Sequence, residues 1–198
     1  MNLLIPSLPD EAFERGNVPM TKALVRHECV RLLGLKEGDV LFDIGSGTGS
    51  VAIEASCLSP SVQVFSIEKK PEAAELQRRN IQKLAGENIT LVQGTAPEAL
   101  TGLPAPDAVF LGGTTGRLQE ILQVLRGYGK AIRVVATAVS LQTIAQFATL
   151  AEEPCVSELQ LQQVSCAPVR SLGRYQLLQA ENPVMIAAFV LLPGGEEA

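Results

Sequence analysis

Two hydrophobic rhythms alternate along the chain, and the changes between them mark out the elements. Val40-Leu41-Phe42-Asp43-Ile44 is apolar apart from one acid, too short for a helix and bounded by Gly38 and Gly45, so it predicts a buried strand. Similar runs predict strands over residues 63–67, 89–93, 107–111 and 131–136. Between them the spacing turns helical. A first helix is expected from Thr21, with Thr21 as its cap and Ala23, Leu24, Val25, Val30, Leu32 and Leu33 as its apolar stripe, up to Gly34. Further helices are expected over 50–58, from Pro71 to about residue 85, over 118–126 and over 141–152. Strand and helix in alternation are the signature of an open parallel sheet with helices on both faces, an α/β fold. The tail differs: 156–164 alternates and 184–192 is continuously apolar, with no helix between them, so this last pair should run antiparallel. Residues 1–20, with Pro6, Pro9 and Pro19, read as an irregular N-terminal arm ahead of a single domain over 21–198.

The first predicted strand runs into Gly45-Ser46-Gly47-Thr48-Gly49, a turn that lets a ligand come close to backbone and that opens onto a helix. A dinucleotide fingerprint spaces its glycines G-x-G-x-x-G, and a P-loop ends in Gly-Lys-Ser/Thr; this G-x-G-x-G turn does neither. The acid before it, Asp43, suits a ligand bearing a positive amine. S-Adenosyl-L-methionine carries such an amine together with a carboxylate, a sulfonium and a ribose. The alternative for Asp43 is internal: its carboxylate could hold the turn by accepting loop N–H groups.

Ligands of such sheets bind beyond the carboxyl ends of the strands. At the second strand end stands Glu68, 23 residues past Gly45, close to the offset at which an acid takes ribose hydroxyls. Thr95 and Ala96 follow the third strand, where an adenine edge would lie, and Gly112 and Gly113 follow the fourth, where donor would meet acceptor. A simple turn explains these last two pairs as well. Ser46 belongs to the same loop. His27, within the first helix, reads as structural or exposed, and Lys69-Lys70 as a solvated helix entry.

Composition narrows the partners. The 198 residues carry 16 basic and 21 acidic side chains, a net charge of −5, with no Trp, two Tyr and six Phe. Neither a basic face nor stacking aromatics for nucleic acid are in evidence. Four scattered cysteines (Cys29, Cys57, Cys155, Cys166) and one histidine argue against a metal site or a disulfide framework. The apolar runs are too short to cross a bilayer and the start lacks a signal-peptide pattern, so no membrane partner and a cytoplasmic location are expected.

With these residues in hand, the chain resembles the decarboxylating precorrin methyltransferases of cobalamin biosynthesis, the CbiT type. The likeness runs through IPSLPDEAFERGNVPMTK, DIGSGTGSVAIEAS, IEKKPEA, GTAPEAL, DAVFLGG, AVSLQT and LGRYQLLQAENPV. It implies a Rossmann-like seven-stranded methyltransferase sheet with an antiparallel last strand, S-adenosyl-L-methionine as cofactor and, usually, a homotetramer. It also implies methylation of carbon 15 of a precorrin or cobalt-precorrin with loss of the ring-C acetate carboxyl. Carried over by position, Asp43, Gly45, Gly47, Gly49, Glu68 and Ala96 match the family's cofactor positions, and Pro19, Met20 and Thr21 match a segment that closes over the cofactor. Thr95 departs from a frequent Asp, and Arg174 from a Leu-Gly-Gly-Tyr-like segment. A tetrapyrrole rich in carboxylates calls for a basic lining, expected from Arg15, Lys22, Arg117, Arg170 and Arg174. Neither step demands a metal or a nucleophilic triad, and the sequence singles out no catalytic side chain. The family often carries a second domain acting on carbon 5, which this length does not accommodate, so a separate carbon-5 methyltransferase is expected. The alternatives are a methyltransferase acting on protein or RNA, and a non-catalytic nucleotide-binding subunit.

Overall fold

In a parallel sheet covered on both faces, each strand must be apolar on both sides, and successive residues must serve opposite cores. The computed structural model, which describes residues 7–194, shows this division directly. Leu41 of β1 (Val40–Ile44), Val64 of β2 (Gln63–Glu68) and Phe110 of β4 (Ala108–Leu111) pack with α1 (Ala23–Leu33) and α2 (Ser50–Ser56). Their neighbours Phe42, Ile67 and Val109 pack on the other face, together with Leu118, Ile121 and Leu125 of α4 (Leu118–Arg126) and Phe147 of α5 (Leu141–Thr149). With α3 (Pro71–Leu84), β3 (Ile89–Gln93), β5 (Ile132–Ala138), β6 (Val156–Val164) and β9 (Val184–Leu191), the seven-stranded sheet has the order β3-β2-β1-β4-β5-β9-β6. Its first five strands are parallel; β9 runs antiparallel to both β5 and β6, as the tail pattern requires. Between β6 and β9 the chain forms an unexpected two-stranded hairpin, β7 (Val169–Leu172) and β8 (Tyr175–Leu178), joined through Gly173-Arg174. Among the described residues no helix is long and apolar enough to cross a membrane.

The first helix departs from expectation at its start. It begins at Ala23, and Thr21 makes no capping bond: Lys22 occupies the cap position without a side-chain capping hydrogen bond. The free Ala23 N–H donates instead to Asp10 Oδ1 at 2.9 Å, so a residue of the arm caps the helix from a distance. The stripe is also rotated. Val25, Arg26, Cys29, Val30, Leu32 and Leu33 are buried, whereas Leu24 is 61% exposed.

Arg26 is the surprise of that buried face. Its guanidinium, fully out of solvent, donates to Glu54 Oε2 at 2.7 Å, to Asp10 Oδ1 at 3.1 Å, to the Thr21 carbonyl at 2.8 Å and to the Leu8 carbonyl. It also lies 4.8 Å from the ring centroid of Phe13. One cation thus fastens the arm at Leu8, Asp10 and Phe13 to the body of the fold at Glu54. Burying a charge is costly unless its whole hydrogen-bonding capacity is met, and here the arm itself supplies the acceptors.

The β1–α2 junction is built around a second buried charge. Asp43 is fully buried; Ala52 N–H donates to its Oδ2 at 3.0 Å, while Oδ1 has no partner. Burial pushes this carboxyl up to about 7, the Glu68 charge adding to the effect and the Ala52 N–H opposing it.

Two outcomes follow from these buried charges. Arg26→Met leaves Glu54 unpaired inside the protein and should cost about 3–5 kcal/mol in urea unfolding, with cleavage in the arm appearing under limited proteolysis. Arg26→Met/Glu54→Met should recover a large part of that loss; a double variant no better than the single one refutes the buried-charge account. For Asp43, the unfolded carboxyl loses its proton near 3.8 while the folded one keeps it to about 7. The free energy of unfolding therefore falls as pH rises through that window, and the loss is complete above it. Compared by thermal melts from pH 5 to pH 8, Asp43→Asn should gain on the wild type as pH rises, and a pH-independent gap would contradict the assignment.

Candidate functional site

Beyond the ends of β1 and β4 two backbones cross with no space for a side chain. A Cβ on Gly45 would lie 2.7 Å from the Gly113 carbonyl oxygen and 2.9 Å from its nitrogen; one on Gly47 would lie 2.9 Å from the Pro19 carbonyl oxygen. Both glycines also have positive φ, 73° and 56°. The loop amides are not left for a ligand, as the sequence suggested. Gly45 and Ser46 donate to the Ile67 carbonyl, Gly49 to the Ser46 carbonyl, Gly47 to Glu68 and Ala52 to Asp43. The N–H groups of Gly45, Ser46, Gly47 and Gly49 are spent on shaping the loop, so what these positions offer a ligand is close approach to backbone.

Two buried polar residues of α3 brace this arrangement. Gln77 donates to Ser66 Oγ and accepts from Ser46 Oγ at 2.9 Å. Asn80 donates to the carbonyls of Thr48 at 3.0 Å and Glu14 at 2.9 Å, and accepts from Glu14 N–H at 2.8 Å. Loop and arm are therefore fixed to the same helix.

Between loop and arm opens a cleft of about 1030 Å³. Thr21, Gly45, Ser46, Gly47, Glu68 and Gly112 line it, as do Pro19 and Met20 of the arm. A hollow of about 120 Å³ adjoins it, sharing Gly45 and Glu68 and lined further by Thr95 and Ala96. Glu68 thus faces both spaces. Its Oε2 accepts from Gly47 N–H and its Oε1 from Lys70 N–H, each at 2.9 Å, which fixes the plane of the carboxylate and leaves further lone pairs for donors in the cleft.

Two of the expected cofactor contacts take other positions. Asp43 does not line the cleft: its buried carboxylate holds α2 to β1, the internal role open to it from the sequence. Gly49 faces Gln77, whose Cγ a Cβ would meet at 2.6 Å. The expected basic lining is also only partly assembled. Lys22 and Arg170 line the cleft, with Lys22 Nζ 3.5 Å from Asp10 and 4.0 Å from Glu181. Arg15 is exposed on the arm and does not reach the lining. Arg117 is committed elsewhere: it donates in bidentate fashion to Glu98 at 2.7 and 2.8 Å and to Glu120 at 2.6 and 2.9 Å. Through those bonds it holds the Glu98 carboxyl down at about 2, and its own pKa is raised. Arg174 lies over the Tyr175 ring in the hairpin turn, 5.0 Å from the centroid. Lys69 and Lys70, read from the sequence as a solvated helix entry, do line the cleft.

Sequence reasoning passed over Asp10, Arg26, Glu54, Gln77 and Asn80. A signal existed for some of them. Gln77 and Asn80 continue the helical spacing of buried Ala73, and Arg26 sits in register with Cys29, Val30 and Leu33. A polar residue in phase with an apolar stripe is a candidate for a buried network.

Comparisons with known proteins bear on the family of the whole chain. Residues 11–190 match the family described as the precorrin methyltransferase domain. The chain is 35% identical over 183 residues to the cobalt-precorrin-6B C(15)-methyltransferase (decarboxylating) of Salmonella typhimurium, covering 91% of this chain and 94% of that one. Among solved structures it is similar to the precorrin-6y C5,15-methyltransferase of Geobacter metallireducens, with a TM-score of 0.86 and 31% identity over 96% of this chain and 99% of that one. It is also similar to the precorrin 8W decarboxylase of Methanobacterium thermoautotrophicum, with a TM-score of 0.81 and 31% identity over 92% and 98% of the two chains. A glycine crossing, an acid at the end of β2 and an arm closing the cleft thus occur in a chain that belongs, over nearly its whole length, to the precorrin methyltransferase family.

Proposed function

We propose that this chain is an S-adenosyl-L-methionine-dependent C-methyltransferase that methylates carbon 15 of a precorrin or cobalt-precorrin and releases the ring-C acetate carboxyl as carbon dioxide, a step in cobalamin biosynthesis. The observation that carries the reading is Glu68, held by two backbone N–H groups at the head of a cleft in a chain of this family.

The donor set fits the cofactor. Glu68 is oriented to accept both ribose hydroxyls, Gly45 and Gly47 admit backbone-close approach, Thr95 and Ala96 border the hollow suited to the adenine, and Pro19, Met20 and Thr21 cover the cleft. When bound, the cofactor supplies a methyl already activated on a sulfonium. The protein's part is then orientation and exclusion of water, which in such a transfer account for most of the barrier reduction a binding site can provide. Lys22 and Arg170, which line the cleft, are the proposed partners of acceptor carboxylates, and a guanidinium can hold a carboxylate in bidentate fashion. The macrocycle itself serves as electron sink for decarboxylation, so the side chains need only hold the reacting carbon toward the donor.

For assembly we propose a homotetramer, with the β7–β8 hairpin as part of the subunit contact. Val169, Leu172, Tyr175, Leu177 and Leu178 are 49–73% exposed there, an apolar surface of the kind that marks an interface. A cytoplasmic location and a separate enzyme for carbon 5 complete the proposal.

Incubation with cobalt-precorrin-6B and S-adenosyl-L-methionine should give a product one methyl heavier and one carbon dioxide lighter by mass spectrometry; an unchanged mass overturns the reading. Glu68→Ala should weaken S-adenosylhomocysteine by roughly tenfold or more in calorimetric titration, because charge-assisted hydrogen bonds to the ribose are lost. Light scattering should give the mass of four chains, reduced in Leu172→Glu/Leu178→Glu, and a monodisperse monomer of the wild type would exclude the assembly.

A further inference from the structure

Two large apolar side chains in the cleft have no part in either core. Leu24, in the first turn of α1, is 61% exposed although Val25, Cys29, Val30, Leu32 and Leu33 of the same helix are buried. Val139, directly after β5, is 66% exposed although Ala138 before it is buried. Single exposed apolar residues need no explanation. These two, however, come from separate elements and line the same concave space, together with Lys22 and Arg170. Apolar walls with a few placed charges are the makeup of a specific ligand site.

Resting on the function proposed above, we infer that Leu24 and Val139 form the apolar seat for the face of the acceptor macrocycle and determine the preference for a flat ring with an acidic rim. Three observations favour this occupant. The cleft, at about 1030 Å³, is at the top of the range of roughly 300–1,000 Å³ for sites that hold one small ligand, so it has room beyond the donor. The cations Lys22 and Arg170 line the same cleft as the apolar pair, matching a ring that is apolar on its faces and carboxylated at its edge. Gly112 and Gly113, which line the same cleft, put no side chain in the path of such a ring.

The test compares the full-length wild type with Leu24→Ser/Val139→Ser and with Leu24→Met/Val139→Ile. Both positions are exposed, so thermal melts should be unaffected, and S-adenosylhomocysteine affinity by calorimetry should match the wild type. With cobalt-precorrin-6B, the serine variant should lose roughly tenfold to hundredfold in kcat/KM, mainly through KM, while the Met/Ile variant retains activity. A serine variant with wild-type KM overturns the inference and leaves the methyltransferase reading standing. A wild type that turns over no tetrapyrrole overturns both. Parallel loss of S-adenosylhomocysteine affinity would place the pair in the donor site and also overturn the assignment.

Discussion

The close crossing of backbone at Gly45 and Gly113, with the arm's Pro19 carbonyl against Gly47, is the constraint on which the rest of the molecule depends. It brings the ends of β1 and β4 together with no side chain between them, and so creates the floor of the cleft. A loop bent this tightly would ordinarily expose a row of amide groups. Here nearby acceptors take up most of them: the Ile67 and Ser46 carbonyls and Glu68. The result is a loop already held in its binding shape, which reduces the ordering a ligand must bring about. Glu68 has two tasks in this scheme, since the oxygen that fixes Gly47 belongs to the carboxylate that faces the cleft.

The arm is attached largely by polar contacts, with its own Phe13 as the buried apolar anchor under Arg26. Arg26 reaches out from α1 and Asn80 from α3, each fully buried and each taking partners from the arm backbone. Asp10 returns the connection by capping α1. Such a network holds a single geometry because each partner left unmet would be costly, whereas an apolar contact could slide. That matters for a segment whose residues 19–22 form one wall of the site.

The cleft itself is divided in character. Near β1 and β2 it presents backbone and a fixed carboxylate, with Lys69 and Lys70 beside them; toward the start of α1 and the end of β5 it presents the apolar side chains of Leu24 and Val139. Asp43, close enough to Glu68 for the charges to oppose each other, stays behind the loop and does not line the cleft.

Local sequence determined a great deal here. The strand runs, the G-x-G-x-G turn, the 23-residue offset to Glu68 and the helix-free pairing at the tail could all be read directly, because strand burial and tight turns depend on residues adjacent in the chain. The hairpin at Gly173-Arg174 was within reach too, marked by a glycine in a two-residue connection. What tertiary structure alone decided was the partner of each charge. Whether Asp43 meets a ligand or Ala52, whether Arg117 lines a cleft or grips Glu98, and whether Arg26 is solvated or locked into the interior depend on groups 9, 19 and 28 positions away. The same holds for the phase of α1: a helix offers its apolar residues around an arc, and the sheet beneath it selected Val25 and Cys29 while leaving Leu24 to the cleft. Hydrophobic periodicity sets which elements form, but a charge or an edge residue takes its role from whatever the folded chain places opposite it.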